Sequence, residues 1–306
     1  MEYSPIALFV YNRPWHTKQT IEALQKNIGA ANSTLYIFSD APKNSAATDY
    51  VEEVRSYLYT IIGFKNITII ERETNFGLAR SIIDGVTQLC DDYGSVIVLE
   101  DDLITSQYFL TYMNTALERY QNIDSVMSIS AFGKKDILHN LLYDDQYDAY
   151  FVPRNSSWGW GTWKKSWSLA DWEVNTYDDF KNNKIKREKF SESGNDLCLM
   201  LDLQQYGFLD SWAIRWAYTH FLNDGVSLVP YYSYVDNIGF DGTGTHCRSS
   251  NRFKIDLSQA KMIPNLPDSV QIKEDVLDAF YSAHKQRFAS RFYWKIKLLG
   301  RRLRLL

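Results

Sequence analysis

The sequence Val96-Ile97-Val98-Leu99-Glu100-Asp101-Asp102 combines the pattern of a buried strand with a cluster of three carboxylates. The four apolar residues, mostly β-branched, predict a strand inside a sheet. Three acidic side chains follow where that strand ends, and adjacent like charges are costly unless a cation or strong donors satisfy them. We therefore expect a hard divalent cation, Mn²⁺ or Mg²⁺, because the candidate ligands are oxygens with no neighbouring His or Cys. A solvated acidic turn is the alternative.

Strand and helix patterns alternate over the first hundred residues. This order predicts an α/β fold with a Rossmann-like, mostly parallel sheet flanked by helices. Such sheets bind their ligands beyond the carboxyl ends of the strands, and polar side chains follow every predicted strand in this region. The predicted strands span residues 4–11, 35–38, 67–70 and 96–99, and the predicted helices span 17–26, 48–62 and 78–91. The polar groups are Asn12-Arg13, Ser39-Asp40, Arg72 to Asn75, and Glu100 to Asp102.

The composition of the 306 residues is that of an ordinary soluble globular protein, with 45% hydrophobic and 23% charged residues. The 9 Trp, 21 Tyr and 16 Phe residues suit either a site that stacks on bases or sugar rings or an aromatic core. The 3 Cys residues are widely spaced, which argues against a zinc site and indicates reduced thiols in a cytoplasmic protein. Neither a signal peptide nor a membrane-spanning run is expected. The sequence contains no GxGxxG or P-loop motif, which argues against those nucleotide-binding folds.

Aromatic side chains dominate the segment from Ser156 to Trp163, where two glycines separate three indoles. Indole faces suit the CH surfaces of sugars, so this segment is a candidate sugar-contact surface, and a core turn is the alternative. Asp210 precedes a predicted helix over 213–223, where its simplest role is to cap the helix. Residues 171–195 are polar and charged, which predicts a mobile flap.

The glycine-rich segment 237–247 predicts a loop that closes over a ligand. His246 lies within it, as a candidate ligand of a metal or phosphate or simply as a polar histidine with satisfied hydrogen bonds.

The C-terminal stretch differs in charge from the rest of the chain. A helix is predicted over 273–292, and residues 285–306 carry eight Lys and Arg residues and no acid, although the whole chain has a net charge of −4. Interleaved aromatic and Leu residues complete the pattern of an amphipathic helix at an anionic membrane surface. A helix packed on its own domain or on a partner subunit is the alternative. Nucleic acid is not expected, because the body is acidic.

The motifs, taken in order, resemble a nucleotide-sugar glycosyltransferase of the GT-A fold. The segments Tyr11-Asn12-Arg13-Pro14, Phe38-Ser39-Asp40 and Asn75-Phe76-Gly77-Leu78-Ala79 resemble the nucleotide-binding half of family 2 enzymes. Leu99-Glu100-Asp101-Asp102 is similar to the Glu-Asp-Asp form of the DXD motif in N-acetylglucosaminyltransferase I and its protein O-mannose relatives. Gly159-Trp160 and Asp210-Ser211-Trp212 resemble the acceptor region of that group. The resemblance covers residues 4–250, and neither 133–150 nor the basic tail matches it.

The resemblance implies a role for each candidate residue. Asp102 would hold the divalent metal, Asp210 would be the general base, and His246 would lie on the diphosphate or metal side of the closing loop. Further donor contacts are expected from Tyr11, Arg13, Asp40, Asn75, Arg80, Glu100 and Asp101, and acceptor contacts from Trp158, Trp160 and Trp212.

The resemblance also implies a domain organisation. We expect a GT-A domain over 1–257, made of a nucleotide-binding half, 1–102, and an acceptor-binding half, 103–257. A helical extension over 258–306 would follow.

We thus expect an inverting, Mn²⁺- or Mg²⁺-dependent transferase that uses a nucleotide-sugar donor, most simply a UDP-sugar. The acceptor would be a saccharide or glycolipid in the synthesis of a surface polysaccharide. The protein would lie on the inner face of the membrane, with a homo-oligomer as an open option. Two alternatives are a sugar-nucleotide nucleotidyltransferase, which usually carries an early glycine-rich triphosphate loop, and a non-catalytic carbohydrate-binding protein.

Overall fold

A computed structural model describes residues 3–133, 137, 147–242, 255–286 and 288–302. The strands are β1 Ile6–Val10, β2 Thr34–Ser39, β3 Asn66–Glu71, β4 Ser95–Glu100, β5 Leu103–Thr105, β6 Val126–Ser130, β7 Ala149–Val152, β8 Trp160–Trp163, β9 Val226–Pro230 and β10 Val235–Asn237. The helices are α1 Pro14–Gln25, α2 Thr48–Leu58, α3 Leu78–Tyr93, α4 Phe109–Tyr120, α5 Lys164–Trp167, α6 Tyr177–Lys181, α7 Lys184–Phe190, α8 Leu197–Gln205, α9 Trp212–Leu222, α10 Glu274–Ala283 and α11 Phe288–Arg302.

Eight strands form one mostly parallel sheet in the order β3-β2-β1-β4-β8-β6-β9-β7. The first four strands of this order are parallel to one another. β8 runs antiparallel to both of its neighbours, so β6 and β9 run in the same direction as β4. The carboxyl ends of six strands therefore meet at one edge, which we call the carboxyl edge. This arrangement confirms the predicted α/β fold class.

Helices cover both faces of the sheet because alternate residues of the central strands point in opposite directions. In β1, Ile6, Leu8 and Val10 pack into a core with α1, α2 and α4. Ala7 and Phe9 point the other way, into a core with α3 and α9. A strand buried on both faces reads as a continuous apolar run, which is why the sequence revealed the central strands so clearly.

Two parts of the second half differ from the prediction. Residues 160–163 form a strand, β8, within the segment for which a sugar-contact surface was expected and a core turn was the alternative. The polar stretch 171–195 is not an unstructured flap, since it contains α6 and α7. Its aromatic residues Tyr177, Phe180 and Phe190 are buried against α8 and α9. These few buried aromatic residues hold the segment against α8 and α9, although most of its other residues are charged or polar.

The C-terminal extension packs on the rest of the chain. Leu266 joins the core beneath α4, and Phe280 of α10 packs beside β7 and β9. The single helix predicted over 273–292 is two helices, because α10 ends with His284 as its C-cap. Trp294 and Leu298 of α11 contact α8. No helix among the described residues is long and apolar enough to cross a membrane. The division at residue 257 stays a prediction.

Candidate functional site

An arginine and two consecutive aspartates meet at the carboxyl edge. Arg13 lies three residues after the end of β1, and Asp101 and Asp102 directly follow β4, the neighbouring strand. The Arg13 Nη2 atom donates to Asp101 Oδ1 and to Asp102 Oδ2, the latter at 2.7 Å. All three side chains are largely buried, so one guanidinium nitrogen bridges two carboxylates in a region with little water.

The backbone on both sides fixes the acidic pair. The Thr20 hydroxyl of α1 donates to the Asp101 carbonyl at 2.9 Å, and the Ile238 amide donates to the Asp102 carbonyl at 2.9 Å. Gly239 lies so close that a Cβ there would be 2.2 Å from Asp102 Oδ2. The start of the glycine-rich segment therefore lies directly against Asp102, because β10 pairs with β5.

The electrostatics of this cluster favour the binding of a further positive charge. Burial, and then Asp102 and Asp101, raise the pKa of Glu100 to about 8. Burial also raises the pKa of Asp101, against the opposing effect of Arg13. Burial alone would lower the pKa of Arg13, but Asp101 and Asp102 together raise it above its ordinary value. The Arg13 guanidinium thus contacts two carboxylates and is the positive charge near the third, that of Glu100.

The chemistry of the donor set fits a hard divalent cation. Asp102 Oδ1 has no hydrogen-bond or ion-pair partner among the described residues, so this oxygen is available to a ligand. Carboxylate oxygens are the donors that Mg²⁺ and Mn²⁺ prefer. Within the described ranges, no three His, Cys, Asp or Glu side chains are grouped to hold a metal ion.

Asp40 organises the loop that precedes α3. Its Oδ1 accepts hydrogen bonds from the amides of Ala41 at 2.9 Å and Phe76 at 2.8 Å. Its Oδ2 accepts from the Gly77 amide at 2.9 Å and from Asn75 Nδ2 at 3.0 Å. With four donors on one buried carboxylate, Asp40 and Asn75 serve to position this loop. The predicted contact of Asp40 with the nucleotide-sugar donor would have to form in addition to these four hydrogen bonds.

Two guanidinium groups pack against the ring of Phe76 in the same loop. Arg80 Cζ lies 3.8 Å from the centroid of the Phe76 ring, and Arg72 Cζ lies 4.6 Å from it. Arg72 is also paired with Asp84, whereas Arg80 is exposed in the first turn of α3. This position suits the predicted phosphate contact of Arg80. On the neighbouring loop, the Tyr11 hydroxyl accepts a hydrogen bond from the Lys43 amide at 3.0 Å.

Trp158 lies between the acidic cluster and a cavity in the second half of the chain. Its ring centroid lies 5.5 Å from that of Phe240, in the loop that crosses Asp102, and 4.5 Å from that of Phe132. The left-handed φ of Gly159, +62°, lets the chain turn sharply from Trp158 into β8. The cavity has a volume of about 320 Å³, and its walls include Ser130, Phe132, Asn155, Trp158, Ile214 and Phe280.

Trp160 and Trp212 occupy a different environment, which corrects the expectation that they contact an acceptor. They are 1% and 3% exposed, and their rings stack at a centroid distance of 4.8 Å. Trp167 and Trp216 complete this buried cluster under α3 and α9. These indoles form a core between the sheet and α9, so of the three predicted acceptor tryptophans only Trp158 remains a candidate.

Asp210 lies in a separate groove from the acidic cluster. The cap of α9 is Ser211, whose Oγ accepts from the Ile214 amide at 3.3 Å, so Asp210 does not have the capping role. The Asp210 carboxylate is exposed and accepts from Arg215 Nη2 at 2.9 Å. The groove, of about 710 Å³, is also lined by Arg80 and Trp172. Arg80 therefore links the region of Asp210 with the loop that Asp40 organises.

Two further residues at the acidic cluster were not singled out from the sequence. His16 Nε2 of α1 lies 3.0 Å from Asp241 Oδ2, and the His16 side chain is buried. This pair joins the first turn of α1 to the glycine-rich segment. The position of His16 three residues after Arg13 was the available signal, whereas Asp241 gave none. His246 lies outside the described residues.

Comparisons by sequence find no relative, since no family model and no curated protein matches the chain. Among solved structures, the chain is similar to the mannosyltransferase PcManGT from Pyrobaculum calidifontis, in complex with GDP-Man and Mn²⁺. The identity is 11% and the TM-score 0.38, over 53% of this chain and 45% of that one.

Two further solved structures are similar to the chain. For S. aureus TarS the identity is 13% and the TM-score 0.37, over 76% of this chain and 36% of TarS. For mouse xyloside xylosyltransferase 1 the values are 11% and 0.35, over 71% and 80%. The chain spans less than half the length of PcManGT and of TarS.

We expect the substitution Asp40→Ala to lower the free energy of unfolding by about 3 kcal/mol, because several buried donors lose a charged acceptor. Urea denaturation measures the change, and hydrogen exchange should accelerate more at the Phe76 and Gly77 amides than at the amides within α3. Asp91→Ala is the control, since Asp91 forms an exposed ion pair with Lys164 and its loss should cost less than about 1 kcal/mol. Equal effects of the two substitutions would contradict the organising role of Asp40.

Proposed function

We propose that the protein is an inverting, metal-dependent glycosyltransferase that moves a sugar from a nucleotide-diphosphate donor, most simply a UDP-sugar, to a saccharide acceptor. One observation carries the proposal. The largely buried carboxylates of Asp101 and Asp102 lie at the carboxyl edge, and the loop ordered by Asp40 leads at that edge into the first turn of α3, which carries the exposed Arg80. Carboxylates that can hold a cation, at the same edge as a guanidinium that can hold a phosphate, suit a diphosphate ligand better than a neutral one.

The residues divide the chemistry between them. Asp102 would hold the ion, with His246 as a predicted second ligand, and the bound ion supplies neutralisation of the diphosphate leaving group. Glu100 and Asp101 face the ribose and the sugar, and Arg80 contacts a phosphate. Tyr11, Arg13 and the loop ordered by Asp40 and Asn75 lie toward the nucleotide.

Transfer requires one proton acceptor on the other side of the sugar. Asp210 takes the proton of the acceptor hydroxyl. At the same time the oxygen of that hydroxyl bonds to the anomeric carbon, and the bond from that carbon to the phosphate oxygen breaks. The pair with Arg215 orients the Asp210 carboxylate. Trp158, which lines the 320 Å³ cavity, offers its face to the acceptor sugar.

Direct displacement with a single base inverts the anomeric configuration. NMR of the product made from a donor of known configuration should show the opposite anomer, and retention would rule this mechanism out.

We expect Asp210→Asn to lower kcat by at least about a hundredfold, the scale of a lost general base. Little change in kcat would remove Asp210 from this role.

We expect Asp102→Asn to lose at least about a hundredfold of the Mn²⁺-dependent release of nucleoside diphosphate, because the carboxylate that holds the ion is neutralised. A panel of UDP- and GDP-sugars with and without Mn²⁺ measures this release. The control is Asp124→Asn, an exposed residue paired with Lys165 far from the carboxyl edge, which should retain full activity.

The same experiment separates the alternatives. A nucleotidyltransferase would release pyrophosphate from a nucleoside triphosphate and a sugar phosphate. A carbohydrate-binding protein would show no turnover and would keep its glycan affinity in Asp102→Asn.

We further propose that α11 places the enzyme on an anionic membrane surface, at the inner face, where a lipid-linked acceptor of surface-polysaccharide synthesis would be found. One face of the helix is occupied by α8, through Trp294 and Leu298. The spacing of Phe292, Ile296 and Leu299 puts these three residues on one other face, and they are 54–56% exposed. Basic residues with an exposed apolar stripe are typical of interfacial helices.

Replacing Phe292, Ile296 and Leu299 together with Ser should weaken binding to vesicles of phosphatidylglycerol and phosphatidylcholine at least tenfold, because the apolar stripe no longer inserts. Co-sedimentation at low and high salt measures the binding. The control replaces Ile62 and Ile185 with Ser, since these residues are 76% and 78% exposed elsewhere on the body. Undiminished vesicle binding of the triple variant would refute the assignment.

A further inference from the structure

We propose that Arg13 is an internal counter-ion, which holds the cation-binding carboxylates until the metal ion and the diphosphate arrive together and displace it. This inference rests on the proposed function and adds to it a coupling between two ligands. In the structure the Arg13 Nη2 atom lies between Asp101 Oδ1 and Asp102 Oδ2, and so a guanidinium nitrogen is already in the place that suits a cation.

The attachment of Arg13 permits such a displacement. Its backbone is fixed at the start of α1, because its carbonyl accepts from the Thr17 amide at 3.0 Å and Pro14 follows it in the first turn. Its side chain, by contrast, has no hydrogen-bond or ion-pair partner among the described residues other than the two carboxylates. The long side chain can therefore turn away while the backbone stays in place.

The charges make the two ligands interdependent. A divalent ion on either oxygen of Asp102 shares that carboxylate with the guanidinium, and two cations so close in a largely buried place repel each other strongly. The ion alone therefore has to break the ion pairs of Arg13 without compensation. A diphosphate offers Arg13 a new anionic partner, since guanidinium and phosphate pair well. The ion and the nucleotide should thus each strengthen the binding of the other.

A purely structural Arg13 would have the opposite effect. If the guanidinium only aligned Asp101 and Asp102 for the ion, its removal would disorder two adjacent carboxylates and weaken ion binding. The two roles therefore predict changes of opposite sign in the affinity for the metal alone.

The experiment measures Mn²⁺ binding to the full chain by electron paramagnetic resonance, with and without UDP or GDP. The variants are Arg13→Met, which keeps the bulk of the side chain without its charge, and Arg13→Lys. The control is Arg187→Met, since Arg187 forms a comparably buried pair with Asp202 at 2.8 Å away from the site.

We expect Arg13→Met to bind Mn²⁺ alone on the order of tenfold more tightly than the wild type, and to lose most of the enhancement by nucleotide. Arg13→Lys, whose shorter side chain keeps the positive charge but does not extend as far as the guanidinium, should lie between the two. Arg187→Met should match the wild type.

Unchanged or weaker Mn²⁺ binding by Arg13→Met would overturn the counter-ion role and leave the proposed function intact. Should Arg13→Met fail to fold by circular dichroism, Arg13→Lys decides in the same way. Absence of Mn²⁺ binding in every folded form, with nucleotide present, would instead contradict the proposed metal-dependent function.

Discussion

The ion pair between Arg13 and the consecutive residues Asp101 and Asp102 is the interaction on which the site depends. Two neighbouring parallel strands end at the same edge, and their following residues carry opposite charges. Without Arg13, three carboxylates would share a place with little water, at a high electrostatic cost. The pair also joins the start of α1 to the end of β4, and Ile238 and Gly239 pack against Asp102. The fold can therefore keep an acidic cluster ready for a cation.

The first hundred residues could be predicted well because their physics is local. Each central strand is buried on both faces, so it appears as a continuous apolar run, and each helix shows its apolar stripe. In the second half the signals are not local. The pattern of Trp and Gly in β8 has neither strand nor helix period. The segment 171–195 is folded by Tyr177, Phe180 and Phe190, which meet only in three dimensions.

The candidate site divides in the same way. The parallel sheet predicted that the polar residues at the strand ends lie close together. In the structure Arg13 contacts both Asp101 and Asp102. Which indole lines a cavity and which is buried in the core could not be predicted from the sequence, because Trp158 and Trp160 are only two positions apart. Their environments differ through the turn at Gly159 and through the helix α9, against which Trp160 stacks on Trp212. The partnership of His16 with Asp241 likewise joins segments more than two hundred residues apart.

The packing of the C-terminal extension has a consequence for the outermost strand. β7 ends the sheet, and a free sheet edge is a template for pairing with another chain. Here the Asp148 amide, just before β7, donates to the Asn265 carbonyl at 2.7 Å, and Phe280 of α10 packs on Tyr150. The extension thus packs against the edge strand of the sheet, in addition to containing α11. A chain shortened after residue 257 would expose the apolar edge strand to pairing with other chains, so the extension also protects the protein against aggregation.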